Sequence, residues 1–243
     1  MNTRVFLTTT RRPQASRQTP RLRLLPFELF PSLVIHATEY GERGACFSLI
    51  IFADMDNPLI NYLQLFTPLP EEDKVLLTDA FEPHSFKEGE ALFRGGAICR
   101  EMFFICKGVL RILASNAKGA EVTHYFLSEN TFCTILNSFN NNVPAEETIE
   151  AACGTEVLVI AKTRLLSLYN KITYLQALVN QITQQKLLDK IQTRNAYLGQ
   201  DALTRYRLFM MRQPDIALRV PLKDVASYLE ITPQSLSRIR KKV

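Results

Sequence analysis

The chain has 243 residues, 47% of them hydrophobic and 22% charged, with a net charge of +5 and a pI near 9.0. That composition can bury a sizeable core in one large or two ordinary domains, and its modest cationic excess permits nucleic-acid binding without requiring it. No stretch approaches the ~18 apolar residues of a membrane span, and the five cysteines, odd in number and without a CxxC pair, offer no spacing for a zinc or iron–sulfur site and fit reduced thiols in a cytosol.

Residues 1–54 stand apart. They contain seven Arg and no Lys, whereas residues 55–243 contain eleven of each, and the first acidic residue is Glu28. Thr8 to Leu24 is polar, Arg-rich and Pro-dotted without an apolar period, which predicts disorder. Ala45 to Ala53 is apolar but too short for a span and too deep for a usual signal peptide. An Arg-rich, acid-poor opening also fits an organelle transit segment, and the abrupt shift favours a third reading, translation from Met55 behind an extended start. No functional residue is expected there.

From Asp56 the pattern becomes regular. Leu59, Ile60, Leu63 and Phe66 predict one amphipathic helix. Pro70-Glu71-Glu72 opens another, with Val75, Leu76, Leu77, Ala80 and Phe81 as its apolar positions. Between Glu82 and Ala161 the period drops to two, predicting strands at His84–Phe86, Ala91–Phe93, Glu101–Cys106, Val109–Ala114, Val122–Phe126, Thr148–Ala152 and Val157–Ile160. Turns such as Lys107-Gly108 and Asn116–Gly119 separate them. Short strands at this spacing imply a small antiparallel barrel or jelly roll.

Helical periodicity returns at Lys162, with Thr163 as the expected cap of a helix carrying Leu165, Leu166, Leu168 and Tyr169. A run free of Gly and Pro follows from Tyr174 to about Leu198. Its apolar stripe of Leu175, Leu178, Val179, Ile182, Leu187, Leu188, Ile191 and Leu198 fits either a dimer seam or a helix lying across its own barrel. Asp201 or Thr204 starts a further helix through Met211, ended by Gln213-Pro214. Residues 221–243 then read as two short helices. Val225, Ala226 and Leu229 share one face of the first, Thr232-Pro233 caps and opens the second, and Leu236 and Ile239 face inward there. Gln234, Ser235, Ser237, Arg238, Arg240, Lys241 and Lys242 are left outside, as a helix seated in a major groove requires.

The order of helices, β-roll, long helix and helix pair resembles the Crp/Fnr family of bacterial transcription regulators. The carrying pieces are KEGEALF (87–93), FFICKGVLRI (103–112), AKGAEVTHYF (117–126), TEVLVIAKTRLLSLY (155–169) and VASYLEITPQSLSRIRKK (225–242). The likeness is greatest to the subgroup of Bacteroidetes-type bacteria and misses the first 54 residues. It implies an α+β chain: an antiparallel β-roll sensor with flanking helices over 55–172, a dimerisation helix over 173–199, and a winged-helix-like helix-turn-helix domain over 200–243. It further implies a cytoplasmic homodimer joined through residues 174–198, with double-stranded DNA and RNA polymerase as partners, no membrane, no cofactor and no enzymatic activity.

By that resemblance Pro233, Gln234 and Arg238 are the base-reading positions. Arg238 matches the family's usual Arg and can pair bidentately with guanine, and Gln234, where Glu is familiar, can pair with adenine. Ser235, Ser237, Arg240, Lys241 and Lys242 are expected on phosphates. Glu230 occupies a position commonly Gly, which predicts a turn that avoids positive φ. The cyclic-nucleotide cassette is degenerate: Thr134-Ile135 stand for its Gly-Glu, and Ala145-Glu146 for its Arg-Ser, with Glu147 adjacent. No Arg or Lys lies between Lys118 and Lys162, and a buried phosphate without a cation is costly. The effector is therefore open, and a sensor protein that binds a cyclic nucleotide or another small molecule in a non-standard pocket is the alternative reading. The cysteines lack the family's iron–sulfur spacing. His84 and His124 are read as structural, whether against a haem role or against a cupin-like metalloenzyme, whose chemistry needs closely set histidines.

Overall fold

The computed structural model describes residues 33–35, 51–53, 57–115 and 119–241. Residues 1–56 and 57–243 form separate compact units. In the first, β1 (Leu33–Ile35) and β2 (Ile51–Ala53) pair antiparallel, Val34 opposite Phe52. The disorder expected at Thr8–Leu24, the proposed start at Met55 and Lys242 lie outside the described residues.

The second unit opens with α1 (Pro58–Gln64), where Asn57 accepts from the Leu59 amide at 3.0 Å and Pro58 takes the first helical position. Leu59, Ile60 and Leu63 are buried. Phe66 does not join them: the helix ends at Gln64 and the ring, nearly half exposed, sits edge-on against Tyr62. In α2 (Glu71–Ala80) three acidic residues meet the positive end of the helix dipole, and Leu77 and Ala80 turn inward while Val75 turns out.

The roll consists of two four-stranded antiparallel sheets. One runs β3 (Glu82–Phe86), β10 (Thr155–Ala161), β5 (Glu101–Lys107) and β8 (Phe132–Cys133). The other runs β4 (Ala91–Phe93), β9 (Thr148–Ala151), β6 (Leu110–Ser115) and β7 (Glu121–Leu127). The continuous apolar run in β5 follows from burial on both faces. Phe103 and Ile105 point between the sheets with Leu110, Ile149 and Val157, whereas Met102 and Phe104 point into a helical layer with Leu63, Leu165, Leu168 and Leu175. Gly108 makes the β5–β6 turn possible. Its φ is +97°, and a Cβ there would stand 2.5 Å from Thr155 Oγ1.

The roll also contains α3 (Leu136–Asn141). After it, β10 runs straight into α4 (Lys162–Lys171), whose first residue donates its backbone N–H to Arg100 at 2.7 Å. Ala161 therefore holds the cap position and Thr163 lies inside the first turn, so the expected threonine cap does not form. The 23-residue helix α5 (Leu175–Tyr197) is about 34 Å long. Its first half buries Leu175, Leu178, Val179 and Ile182 on the roll's helical layer. In its second half Leu187, Leu188 and Ile191 are 40–53% exposed. Four helices follow: α6 (Ala202–Arg212), capped by Asp201 on the Thr204 amide at 2.8 Å, then α7 (Pro214–Arg219), α8 (Leu222–Tyr228) and α9 (Pro233–Arg240). Their core of Tyr206, Phe209, Val225, Leu229 and Leu236 is continuous with Val109, Phe126 and Ala152 of the roll. Among the described residues no helix is long and apolar enough to cross a membrane.

Candidate nucleic-acid interface and effector cassette

The α8–α9 pair is built as its sequence demands, except at the turn. Val225, Ala226 and Leu229 are buried. Beyond them Glu230 takes φ +55°, the left-handed conformation that the residue type argued against. The cause is hydrogen bonding. The Glu230 N–H reaches Ser227 O at 3.1 Å and the Ile231 N–H reaches Ala226 O at 3.0 Å, a Schellman closure that requires a left-handed residue between its two bonds. Thr232 then caps α9 by accepting from the Ser235 amide at 3.1 Å, and its hydroxyl lies 2.9 Å from Ser235 Oγ.

On α9, Leu236 is fully buried and Ile239 half-buried. Pro233, Gln234, Ser237, Arg238, Arg240 and Lys241 are exposed, and Ser235 is half-buried beside its cap. Gln234 and Arg238, four apart, share one face with Ser237 and Lys241. Among the described residues, the side chains of Gln234, Arg238, Arg240 and Lys241 have no hydrogen-bond or ion-pair partner, which leaves their donors free.

The helix pair is seated on the roll through α8. Ser227 Oγ accepts from the Thr123 amide of β7 at 2.9 Å. Arg111 of β6 bridges Glu150 of β9, at 2.6 Å, and Asp224 of α8. Burial raises the Asp224 carboxyl above its ordinary value, a push that the Arg111 guanidinium opposes but does not overcome. Nearby, Glu129 accepts from the Gly108 amide at 2.7 Å and from Arg219 of α7 at 2.9 Å. Partial burial pushes Glu129 up, yet these hydrogen bonds and the Arg219 charge outweigh it and hold the carboxyl below the usual range. The sequence did not mark this set. Its one visible trace is Arg111, a lone cation inside the apolar run VLRILA.

The cassette positions gather around α3. Thr134 donates to Glu101 O at 2.8 Å and lies 3.4 Å from Cys99 Sγ, while Ile135 is buried at the start of α3. Ser138, fully buried, accepts from the Cys99 amide at 2.8 Å and donates to Val143 O at 2.6 Å. Both backbone groups of Ala145 are engaged, its N–H on Ala97 O at 2.9 Å and its carbonyl on the Gly96 N–H at 2.7 Å. Gly95 approaches so closely that a Cβ would stand 2.7 Å from Glu146 O. Glu146 itself is exposed. The cation that closes the Lys-free and Arg-free interval, Lys162, is occupied elsewhere: its ammonium donates to Phe139 O and to Asn142 Oδ1, at 3.1 Å for the latter, neutralising the carbonyl end of α3.

Of the other candidates, His84 is exposed against Phe86, and His124 is half-buried edge-on to Tyr125. Burial pushes the Cys133 thiol up to about 12 and the Cys106 thiol to about 11, so both stay protonated at neutral pH. Among the described residues no group of three His, Cys, Asp or Glu side chains is placed to hold a metal.

Residues 83–171 match the model of the cyclic nucleotide-binding domain. No curated protein sequence matches the chain. Among solved structures it is similar to a putative Crp/Fnr-family regulator from Eubacterium rectale, at 20% identity and a TM-score of 0.58 over 75% of this chain and 87% of that one. The c-di-GMP-responsive global regulator CLP of Xanthomonas campestris aligns at 13% identity and a TM-score of 0.56 over 71% and 91%. FixK2 of Bradyrhizobium japonicum aligns at 15% and 0.56 over 67% and 83%. At these identities the likeness is one of fold, and the fold is Crp/Fnr-like: antiparallel sheets rolled together, flanking helices and a helical C-terminal region.

Proposed function

We propose that this chain is a dimeric, sequence-specific DNA-binding transcription regulator of the Crp/Fnr type, working in the cytoplasm as a binding protein and not as an enzyme. The observation that carries the reading is the outward face of α9, where Gln234 and Arg238 stand side by side with free donors and the cationic Arg240 and Lys241 follow. That arrangement suits base edges first and phosphates second. The exposed Leu187, Leu188 and Ile191 on α5 supply a seam for a second copy, and a two-fold pair of α9 helices reads half-sites one helical turn apart. With Glu146 exposed, Lys162 engaged on α3 and Ala145 closed on the Gly96 turn, the cassette has no cation for a cyclic phosphate, and cAMP is not its effector.

Selection of bound DNA from a random pool by the purified protein, with and without cAMP, tests this. A palindromic site enriched equally in both conditions is expected. Failure to enrich any palindrome refutes the regulator reading, and strong dependence on cAMP refutes the reading of the cassette.

A further inference from the structure

A second cavity, away from the cassette, is better equipped for an anion. It lies where the β7–β8 connection, the middle of α5 and the α6–α7 corner meet, and it measures about 230 Å³. Lys186 and Lys190, one turn apart on α5, both line it, and Arg212 enters from the end of α6. Among the described residues neither lysine has an ion-pair partner. The Lys190 ammonium sits 5.2 Å above the Tyr125 ring centroid. Burial lowers its pKa from the usual lysine range. A half-desolvated ammonium whose only compensation is an aromatic face lacks a counter-charge.

The walls also carry Asp189 and Asp215. Asp189 is already engaged by Gln185 Nε2 at 3.0 Å, and Asp215 lies in the field of Arg219. Three cations against two carboxylates leave positive charge over. The volume falls below the ~300–1,000 Å³ of pockets for drug-sized ligands, which suits a short metabolite.

We infer that this cavity binds a small oxyanion, its charge held by Lys186, Lys190 and Arg212. Because the cavity joins the roll, α5 and the helical head, its occupant would bear on the placement of α9. That regulatory sense rests on the proposed function, whereas binding itself does not.

Calorimetry on the full chain at constant ionic strength, with glycerol 3-phosphate, malate and inorganic phosphate as separate titrants, tests the site. Saturable binding of one equivalent per chain is expected for at least one of the three, and the tightest binder identifies the headgroup. Lys186→Gln, an accessible change that leaves the core intact, and Lys190→Met, which keeps the stem on Tyr125, should each weaken it by about tenfold or more. The remote Lys87→Gln should leave it unchanged. No saturable binding by any titrant, or wild-type affinity in both variants, overturns the inference whatever the DNA selection shows.

Discussion

Arg111, near the start of β6, and Asp224, in the first turn of α8, are 113 positions apart in the chain and form one buried ion pair. Glu150 shares the same guanidinium. The pair joins the roll to the helical head at a point where each carboxylate, left alone, would be a desolvated charge. Arg111→Met should therefore cost about 3–5 kcal/mol in urea unfolding. Adding Asp224→Asn and Glu150→Gln should return much of that loss, because the three act as a unit. A triple variant no better than Arg111→Met would mean that the arginine acts through packing alone.

The neighbouring bridge between Glu129 and Arg219 makes stability depend on pH with a definite sign. The folded Glu129 value lies below the unfolded one, so its contribution is complete above the unfolded pKa and disappears as pH falls through the folded value. Asp224 has the opposite sign, since its folded value is raised, but it cancels when wild type is compared with Glu129→Gln. The wild type should be the more stable at pH 7, and the two urea midpoints should draw together as pH falls from the unfolded carboxylate value, about 4.3, through the lower folded value.

Glu230 in the left-handed region offers a stabilising substitution. A non-glycine residue there costs roughly 1–2 kcal/mol, and its carboxylate gains only long, exposed contacts at 3.9 Å with Arg194 and Arg205. Glu230→Gly recovers the strain at the expense of a more flexible unfolded chain, for a net gain of about 0.5–1 kcal/mol in thermal or urea unfolding. A loss of that size would show that the two arginine contacts outweigh the strain.

On α9 the two free donors should separate by role. Arg238→Ala is expected to relax base choice at one half-site position at roughly 1–3 kcal/mol, and Gln234→Glu to shift the preferred base there from adenine towards cytosine. Both are read by repeating the DNA selection with each variant. A uniform loss across all sequences would make Arg238 a phosphate contact.

The exposed half of α5 predicts assembly. Leu188→Lys places a charge in the seam while leaving the buried half of the helix untouched. Light scattering on the eluting protein should show dimer for the wild type and monomer for the variant, with helical content unchanged. A variant that remains dimeric places the seam elsewhere.

Much of this architecture is written locally and was legible from the chain. The strands of the roll announce themselves by alternation, as in β9, and the outward face of α9 by helical spacing around Leu236. Elements with too few residues to show a period did not: α3 is the asparagine-rich LNSFNN, α7 only six residues, and β8 only Phe132 and Cys133. The turn at Glu230 misled because residue preference was weighed without the two carbonyls, Ser227 and Ala226, that close it. The long helix supported two readings, a seam and a cover for the roll, and its buried half belongs to the second. Arg111 with Asp224, and Lys190 above Tyr125, depend on surfaces that meet only after the head is seated, and no spacing in the chain encodes them.

The seating of α8 also bears on how such a chain can diverge. β7 is an edge strand, and its Thr123 amide is closed by a serine hydroxyl from another element; the Phe126 ring lies 5.2 Å from that of Tyr228. A head transplanted from another chain of this fold would leave the strand edge open for pairing with foreign chains and the ring uncovered. Roll and head must therefore vary as a matched set. If α9 reads DNA as proposed, a lineage acquiring a new operator is confined to its few outward positions, where Gln234 and Arg238 can be exchanged without disturbing any partner among the described residues.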